Sequence, residues 1–207
     1  MAKRAAVSAK TRGRILEATR RLLARSARTD LGLDAVARAS GVSRVTIYNH
    51  FGSRSGLLEA LYDYLATRGH VRRGKEALGQ ENLNRVIGGF IRALVGFWSS
   101  DATAIRRLHA MAALDAEIET GLAVRQLRRT RAATHIVRRF ASSSEHHPHR
   151  WTDRLVADTI SVLASFETYD ALASAGHGRD VIVAVLTHLV REILLRRPAF
   201  PNRRSSR

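Results

Sequence analysis

The chain of 207 residues contains no cysteine. Disulfides, thiol chemistry and cysteine-ligated zinc are therefore excluded, and a reducing compartment fits. Proline occurs only three times and no long polar tract appears, while apolar residues make up 45% of the chain, so a folded globular protein is expected. Long hydrophobic runs are also missing. The longest, Val181 to Leu195, is interrupted by Thr187, His188, Arg191 and Glu192, which suits a buried helix and not a membrane span. The opening MAKRAAVSAKTRGRILEA has no apolar signal core, so a cytoplasmic protein is expected. No GxSxG, HExxH or phosphate-cradling glycine loop is present, so neither an enzyme nor a cofactor is expected.

Acidic residues are scarce, 18 against 35 Lys and Arg, which gives a net charge of +17 and a pI of about 11.6. That balance points to a polyanionic partner such as nucleic acid. Arginine dominates lysine and alanine is abundant, a bias that coding composition alone produces, so distribution matters more than the total. The first 70 residues carry roughly +8 and the remainder roughly +9, about twice the charge density at the N-terminal end.

Alternating strand patterns and internal repeats are absent, whereas 3.6-residue apolar spacing recurs, so the fold class is all-α. Residues 1–10 are expected to form a flexible basic arm carrying Lys3, Arg4 and Lys10. Ile15, Leu16, Thr19, Leu22 and Leu23 then share one face of a first helix. A short second helix turns Val36, Ala37 and Ser40 inward. Gly41 supplies the left-handed turn residue, and Ser43 caps a third helix in which Ile47 packs back on Val36 and Val42. Ser53 opens a fourth helix bearing Leu57, Leu58, Leu61, Tyr62 and Leu65. Gly69, Gly74 and Gly79 mark a boundary. Five more helices are expected at about 81–98, 101–111, 114–140, 151–174 and 180–197, with a basic tail over 199–207.

The stretch Gly41–Phe51, GVSRVTIYNHF, crowds hydrogen-bonding side chains onto one short helix behind a glycine turn. Such a unit has helix-turn-helix spacing, in which the second helix enters the major groove. Its outward positions are Arg44, Val45, Thr46, Tyr48 and Asn49. Arginine reads guanine, asparagine reads adenine, and a Val or Thr methyl meets the thymine methyl. Tyr48, His50 and Arg54 suit phosphate oxygens.

Residues 11–65 resemble the DNA-binding domain of the TetR family of bacterial repressors, through GVSRVTIYNHF, the following GSRSGLLEAL and the apolar helix from Arg12 to Ser26. The stretch SFETYDAL at Ser165–Leu172, followed by a last apolar helix, is a weaker echo of the family's dimer-forming region. The resemblance implies a three-helix DNA-binding domain (11–68) and a helical effector-binding and dimerisation domain (75–198). It further implies a homodimer on a palindromic operator, released by a small molecule. Base contacts would fall on Arg44, Thr46, Tyr48 and Asn49, with Ser43 and Val45 beside them, and backbone contacts on His50 and Arg54. Family members commonly carry threonines before the second helix, where this chain has Leu31 and Gly32; Lys3, Arg4, Lys10 and Arg12 would make up the missing phosphate attraction. The effector cavity implied by the family would draw on Trp98, Arg131, His135, Asp158, Phe166 and Tyr169.

The helices around 155–172 and 181–194 are apolar on more than one face. That excess suggests a second copy as burial partner, with Leu163, Phe166, Val185, Leu189 and Ile193 at the interface; central helices of a monomer are the alternative. Asp34 reads as an ordinary first-turn acid. The histidines 146, 147 and 149, split by Pro148, read as a solvated loop and no metal site is expected. Two rival functions stay open: an architectural DNA binder without sequence preference, and a small-molecule enzyme or sensor with a vestigial N-terminal domain.

Overall fold

The computed structural model describes residues 2–25, 31–68, 79–80, 82–142 and 151–195. Among them are ten helices and no strand: α1 (Ala2–Arg25), α2 (Leu33–Ser40), α3 (Arg44–Phe51), α4 (Arg54–Arg68), α5 (Leu83–Ser100), α6 (Ala102–Ala112), α7 (Ala116–Ala141), α8 (Asp153–Leu163), α9 (Phe166–Ser174) and α10 (Arg179–Leu195). The all-α expectation holds.

The polypeptide groups into two compact units, neither of them contiguous in sequence. One comprises Met1–Arg72 with Gly96–Gln126, the other Arg73–Val95 with Leu127–Arg207. This grouping sets residues 96–126 with the N-terminal helices, unlike the division at 68–75 expected from the sequence. The reason lies in side chains far apart in sequence. Arg20 of α1 binds the Asp101 carboxylate at 2.6 Å, and Arg107 of α6 donates to the Leu23 carbonyl at the end of α1 at 2.8 Å.

In the first unit Ile15, Val36, Ile47, Leu61 and Leu65 are fully buried, so α1 to α4 close around one aliphatic core. Each such side chain contributes roughly 1.5–3 kcal/mol on burial. Thr19, expected on the apolar face, is buried without penalty because its hydroxyl donates to the Ile15 carbonyl at 2.8 Å. The segment expected to be an arm lies from Ala2 onward in the same helix as residues 11–25. Its sequence AKRAAVSAK holds strong helix formers and no breaker, and α1 passes through Gly13 without interruption.

In the second unit a stripe on α10, Ile182, Leu186, Val190 and Leu194, is buried at intervals of four residues. The helix expected over 151–174 is two helices. Ser165 takes an extended conformation, its hydroxyl accepts from the Thr168 amide at 3.3 Å, and the Thr168 hydroxyl donates to the Val162 carbonyl at 2.8 Å. This local capping competes with the helical ladder and ends α8.

Candidate nucleic-acid interface

The turn between α2 and α3 is built from backbone chemistry. Gly41 adopts φ 64°, ψ 37°, and the amides of Gly41 and Val42 donate to the Arg38 and Ala37 carbonyls, closing the end of α2. A side chain at that φ would be strained, which is why glycine stands there. Ser40 is buried and donates to the Val36 carbonyl at 2.6 Å. Ser43 then caps α3, its hydroxyl accepting from the Thr46 amide at 3.1 Å. Val36 and Ile47, both without exposed surface, pin α3 onto α2. At its far end α3 meets α4 so closely that a Cβ on Gly56 would lie 2.0 Å from the Phe51 carbonyl oxygen. Ser53 caps α4 as expected, accepting from the Gly56 amide at 3.0 Å.

With Ile47 fixed inward, Arg44, Val45, Tyr48 and Asn49 stand on the exposed side of α3. Val45 is 66% exposed, far more than an isolated valine needs to be, and Tyr48 is 43% exposed. Thr46 is different. It is half-buried and its hydroxyl lies 2.9 Å from that of Ser43, so it belongs to the cap more than to the reading face. His50 is half-buried, its ring 6.1 Å from that of Phe51. Leu31, where the family commonly has a hydroxyl, is 4% exposed and serves the core; Gly32 opens α2 with no side-chain cap.

The structure gives two of the expected phosphate-binding arginines other partners. Arg12 donates to the His50 carbonyl at 2.8 Å, and its guanidinium lies 4.4 Å from the centre of the Phe51 ring. A cation there complements the negative end of α3. Arg54 donates to the Leu31 carbonyl at 3.2 Å, to Asp115 at 3.1 Å and to Glu117 at 2.6 Å, and Ser55 also donates to Glu117 at 2.8 Å. The Arg54 guanidinium holds the carboxyls of Asp115 and Glu117 below the ordinary carboxylate range. Asp115 in turn accepts from the Ile118 amide at the start of α7. Arg54 thus ties the entry to α2 and the start of α4 to the start of α7. Lys10 is exposed on α1, whereas the side chains of Lys3 and Arg4 fall outside the described residues.

Three acids that the sequence did not single out for this face stand out. Asp34 approaches Arg44 at 3.4 Å, and Asp115 and Glu117 hold Arg54. An aspartate followed by Ala-Glu-Ile is a helix-start signal that could have marked Asp115.

The proposed effector residues do not form one buried set. Trp98, Phe166 and Tyr169 are buried, whereas Arg131, His135 and Asp158 are exposed, Asp158 lying 3.8 Å from Arg154. Of the proposed interface residues, Phe166 is turned into the core, Leu163 and Ile193 are half-buried, and Val185 and Leu189 are exposed at 43% and 40%. Leu155 and Val162 on α8 and Val181 on α10 are exposed apolar side chains of the same unit. The histidines at 146–149 and the tail 199–207 lie outside the described residues. Among the described residues no cluster of three or more His, Cys, Asp or Glu side chains could hold a metal ion, and no helix is long and apolar enough to cross a membrane.

Residues 15–61, which hold this turn and both of its helices, match the model of the bacterial regulatory proteins of the tetR family. Residues 15–61 are a TetR-family helix-turn-helix region. The chain is 47% identical over 57 residues to the HTH-type transcriptional regulator AlkX of Mycobacterium tuberculosis; the match spans 28% of this chain and 27% of that protein. Two solved structures share the fold along nearly their whole length. A Rhodococcus protein described as a TetR-family transcriptional regulator superposes with a TM-score of 0.73 at 18% identity, covering 89% of this chain and 99% of its own. NalD of Pseudomonas aeruginosa, the secondary repressor of the MexAB-OprM multidrug efflux pump, gives 0.69 at 18% identity over 91% and 98%.

Proposed function

We propose that this TetR-family regulator binds a palindromic operator as a homodimer, that it represses transcription from it, and that a small-molecule effector releases it. The observation that carries the reading is the α3 surface. A capped turn and a fully buried Ile47 leave Arg44, Val45, Tyr48 and Asn49 facing outward together. Guanidinium, methyl and amide groups read base edges in the major groove, and a phenol beside them suits a phosphate oxygen.

Two copies of α3 would enter successive major grooves roughly 34–36 Å apart. The exposed Val181, Val185 and Leu189 on α10, with Leu155 and Val162 on α8, support a two-fold contact between subunits. Repression is the role named for NalD, and effector release is the family's usual mode. A ligand favouring a conformation that DNA disfavours would lower operator affinity, and by linkage DNA would lower ligand affinity equally.

Selection of bound sequences from a random-duplex library tests this at about 0.15 M salt, where nonspecific binding is weak. A palindromic motif that is lost on Arg44→Ala is the expected result. Uniform, steeply salt-dependent binding with no motif would favour the architectural reading, for which the +17 charge is the argument.

A further inference from the structure

Asp34 sits in the first turn of α2 with 66% of its side chain exposed, and one carboxylate oxygen lies 3.4 Å from a guanidinium nitrogen of Arg44. Arg44 opens α3. Its guanidinium carbon also stands 5.7 Å from the centre of the Tyr48 ring. The one arginine on the reading face of α3 is therefore bounded by a carboxylate on one side and an aromatic ring on another.

Stability does not explain this acid. An ion pair this exposed contributes little to folding. The first-turn position accounts for a helix-dipole benefit, but it does not account for a carboxylate beside the reading helix of a protein carrying +17. A negative charge on a phosphate-facing surface weakens binding to every DNA sequence alike. Something must offset that loss, and the arginine it faces supplies the reason.

We propose that Asp34 is a specificity-determining residue that holds Arg44 for guanine. The guanidinium has five donors on a rigid plane. With Nη1 held beside Asp34, the Nε and Nη2 side presents two parallel N–H groups, the pattern that matches guanine O6 and N7. Without Asp34 the long side chain swings to a phosphate as readily as to a base. Asp34 also offsets part of the charge that would draw Arg44 to phosphates indiscriminately. When DNA displaces water from the groove, the effective dielectric falls and the pair strengthens where its orientation matters. Discrimination is thus bought with affinity, by a repulsive element placed against wrong sequences.

The inference rests on the operator-binding reading above. Its test starts from the motif selected by the wild-type chain and uses the full-length protein. Binding to that duplex, to the three duplexes altered at the base pair that Arg44→Ala de-specifies, and to random duplex is measured for wild type, Asp34→Asn, Arg44→Ala and the double variant. Thermal melting checks that each variant is folded. Asp34→Asn is expected to bind random duplex about 3–10-fold more tightly and to lose about 10-fold of its preference for guanine, within the range set by one bidentate base contact. In the Arg44→Ala background the same change should leave base preference untouched. A folded Asp34→Asn that keeps the wild-type guanine preference overturns the inference alone. So does a loss of preference that persists without Arg44, or an Arg44-dependent base that is not guanine. A wild-type chain that selects no motif overturns the regulator reading and this inference with it.

Discussion

Replacing Arg54 by glutamine separates a brace from a phosphate contact. In the structure the Arg54 side chain is 23% exposed and engages the Leu31 carbonyl together with the carboxylates of Asp115 and Glu117. A hydrogen bond involving a charged group is worth about 1.5–3 kcal/mol, and removing one partner of a part-buried network leaves the others unmatched. Asp115 and Glu117 remain 23% and 44% exposed, so water recovers part of the loss. The expected destabilisation is about 2–3 kcal/mol. For a chain of this size that lowers the melting temperature by about 5–10 °C. Arg54→Lys should recover only a fraction, because an ammonium cannot span three acceptors as the planar fork does. The assay is thermal melting paired with operator affinity across a salt series. A lost phosphate contact makes the slope of log affinity against log salt shallower by about 0.9 and leaves melting unchanged. A lost brace lowers melting and leaves the slope as it was. Arg54→Gln with wild-type melting and a slope shallower by about one would refute the reasoning. The companion variant Asp115→Asn with Glu117→Gln should melt early and bind no more tightly; tighter binding would mean that the two acids had been masking a phosphate ligand.

Gly56→Ala should abolish operator binding and destabilise the fold severely, because the new methyl would lie 2.0 Å from the Phe51 backbone oxygen; melting followed by circular dichroism reads it, and wild-type melting would disprove the close approach. Arg20, with help from the Tyr64 hydroxyl, lowers the Glu17 carboxyl from its usual 4.5 to about 2. The folded value lies below the unfolded one, so this stabilisation is present above about pH 4.5 and is lost as pH falls toward 2. Asp115 and Glu117 are shifted the same way, and Glu17→Gln should flatten the acid limb of melting temperature against pH. Val185→Asp or Leu189→Asp, at positions 43% and 40% exposed, should leave each subunit folded and convert a dimer to monomers in sedimentation, with a matching loss of operator affinity.

What could be read before the structure was what is encoded locally. Gly41, Ser43 and Ser53 each do in the structure what residue type and spacing dictate, because a left-handed turn or a cap is decided within four residues. The buried stripe at Ile182, Leu186, Val190 and Leu194 follows equally from periodicity. What was not legible shares one cause. The partner of Arg12 is 38 residues away and those of Arg54 are 61 and 63 residues away, so nothing beside either arginine announces that its charge is occupied. Residues 96–126 join the first unit through contacts such as Arg20 with Asp101, 81 residues apart. The break at Ala164–Ser165 is a subtler failure. Apolar spacing continued through it, and a serine cap outweighed that pattern because its hydroxyl offers the backbone a competing bond.

The same long-range pairing changes how the basic charge bears on DNA. Net charge sets the long-range field and speeds encounter, and every lysine and arginine counts toward it. The salt dependence of binding counts only those that neutralise a phosphate in the complex. Arg12, Arg20 and Arg54 are held by a carbonyl, by two carboxylates, and by a carbonyl with two carboxylates, respectively. Arg20 and Arg54, each held by two carboxylates, gain little by exchanging one anion for another, whereas Arg12 keeps donors beyond its one carbonyl bond. On the operator-binding proposal, phosphate attraction would fall to exposed cations such as Lys10, Arg12 and Arg14 of α1 and Arg38 of α2. On that proposal the salt dependence of binding would count the cations that reach phosphate, not the net +17 of the whole chain, from which the paired acids are already subtracted. Discrimination among sequences would then rest on the α3 side chains more than on bulk charge.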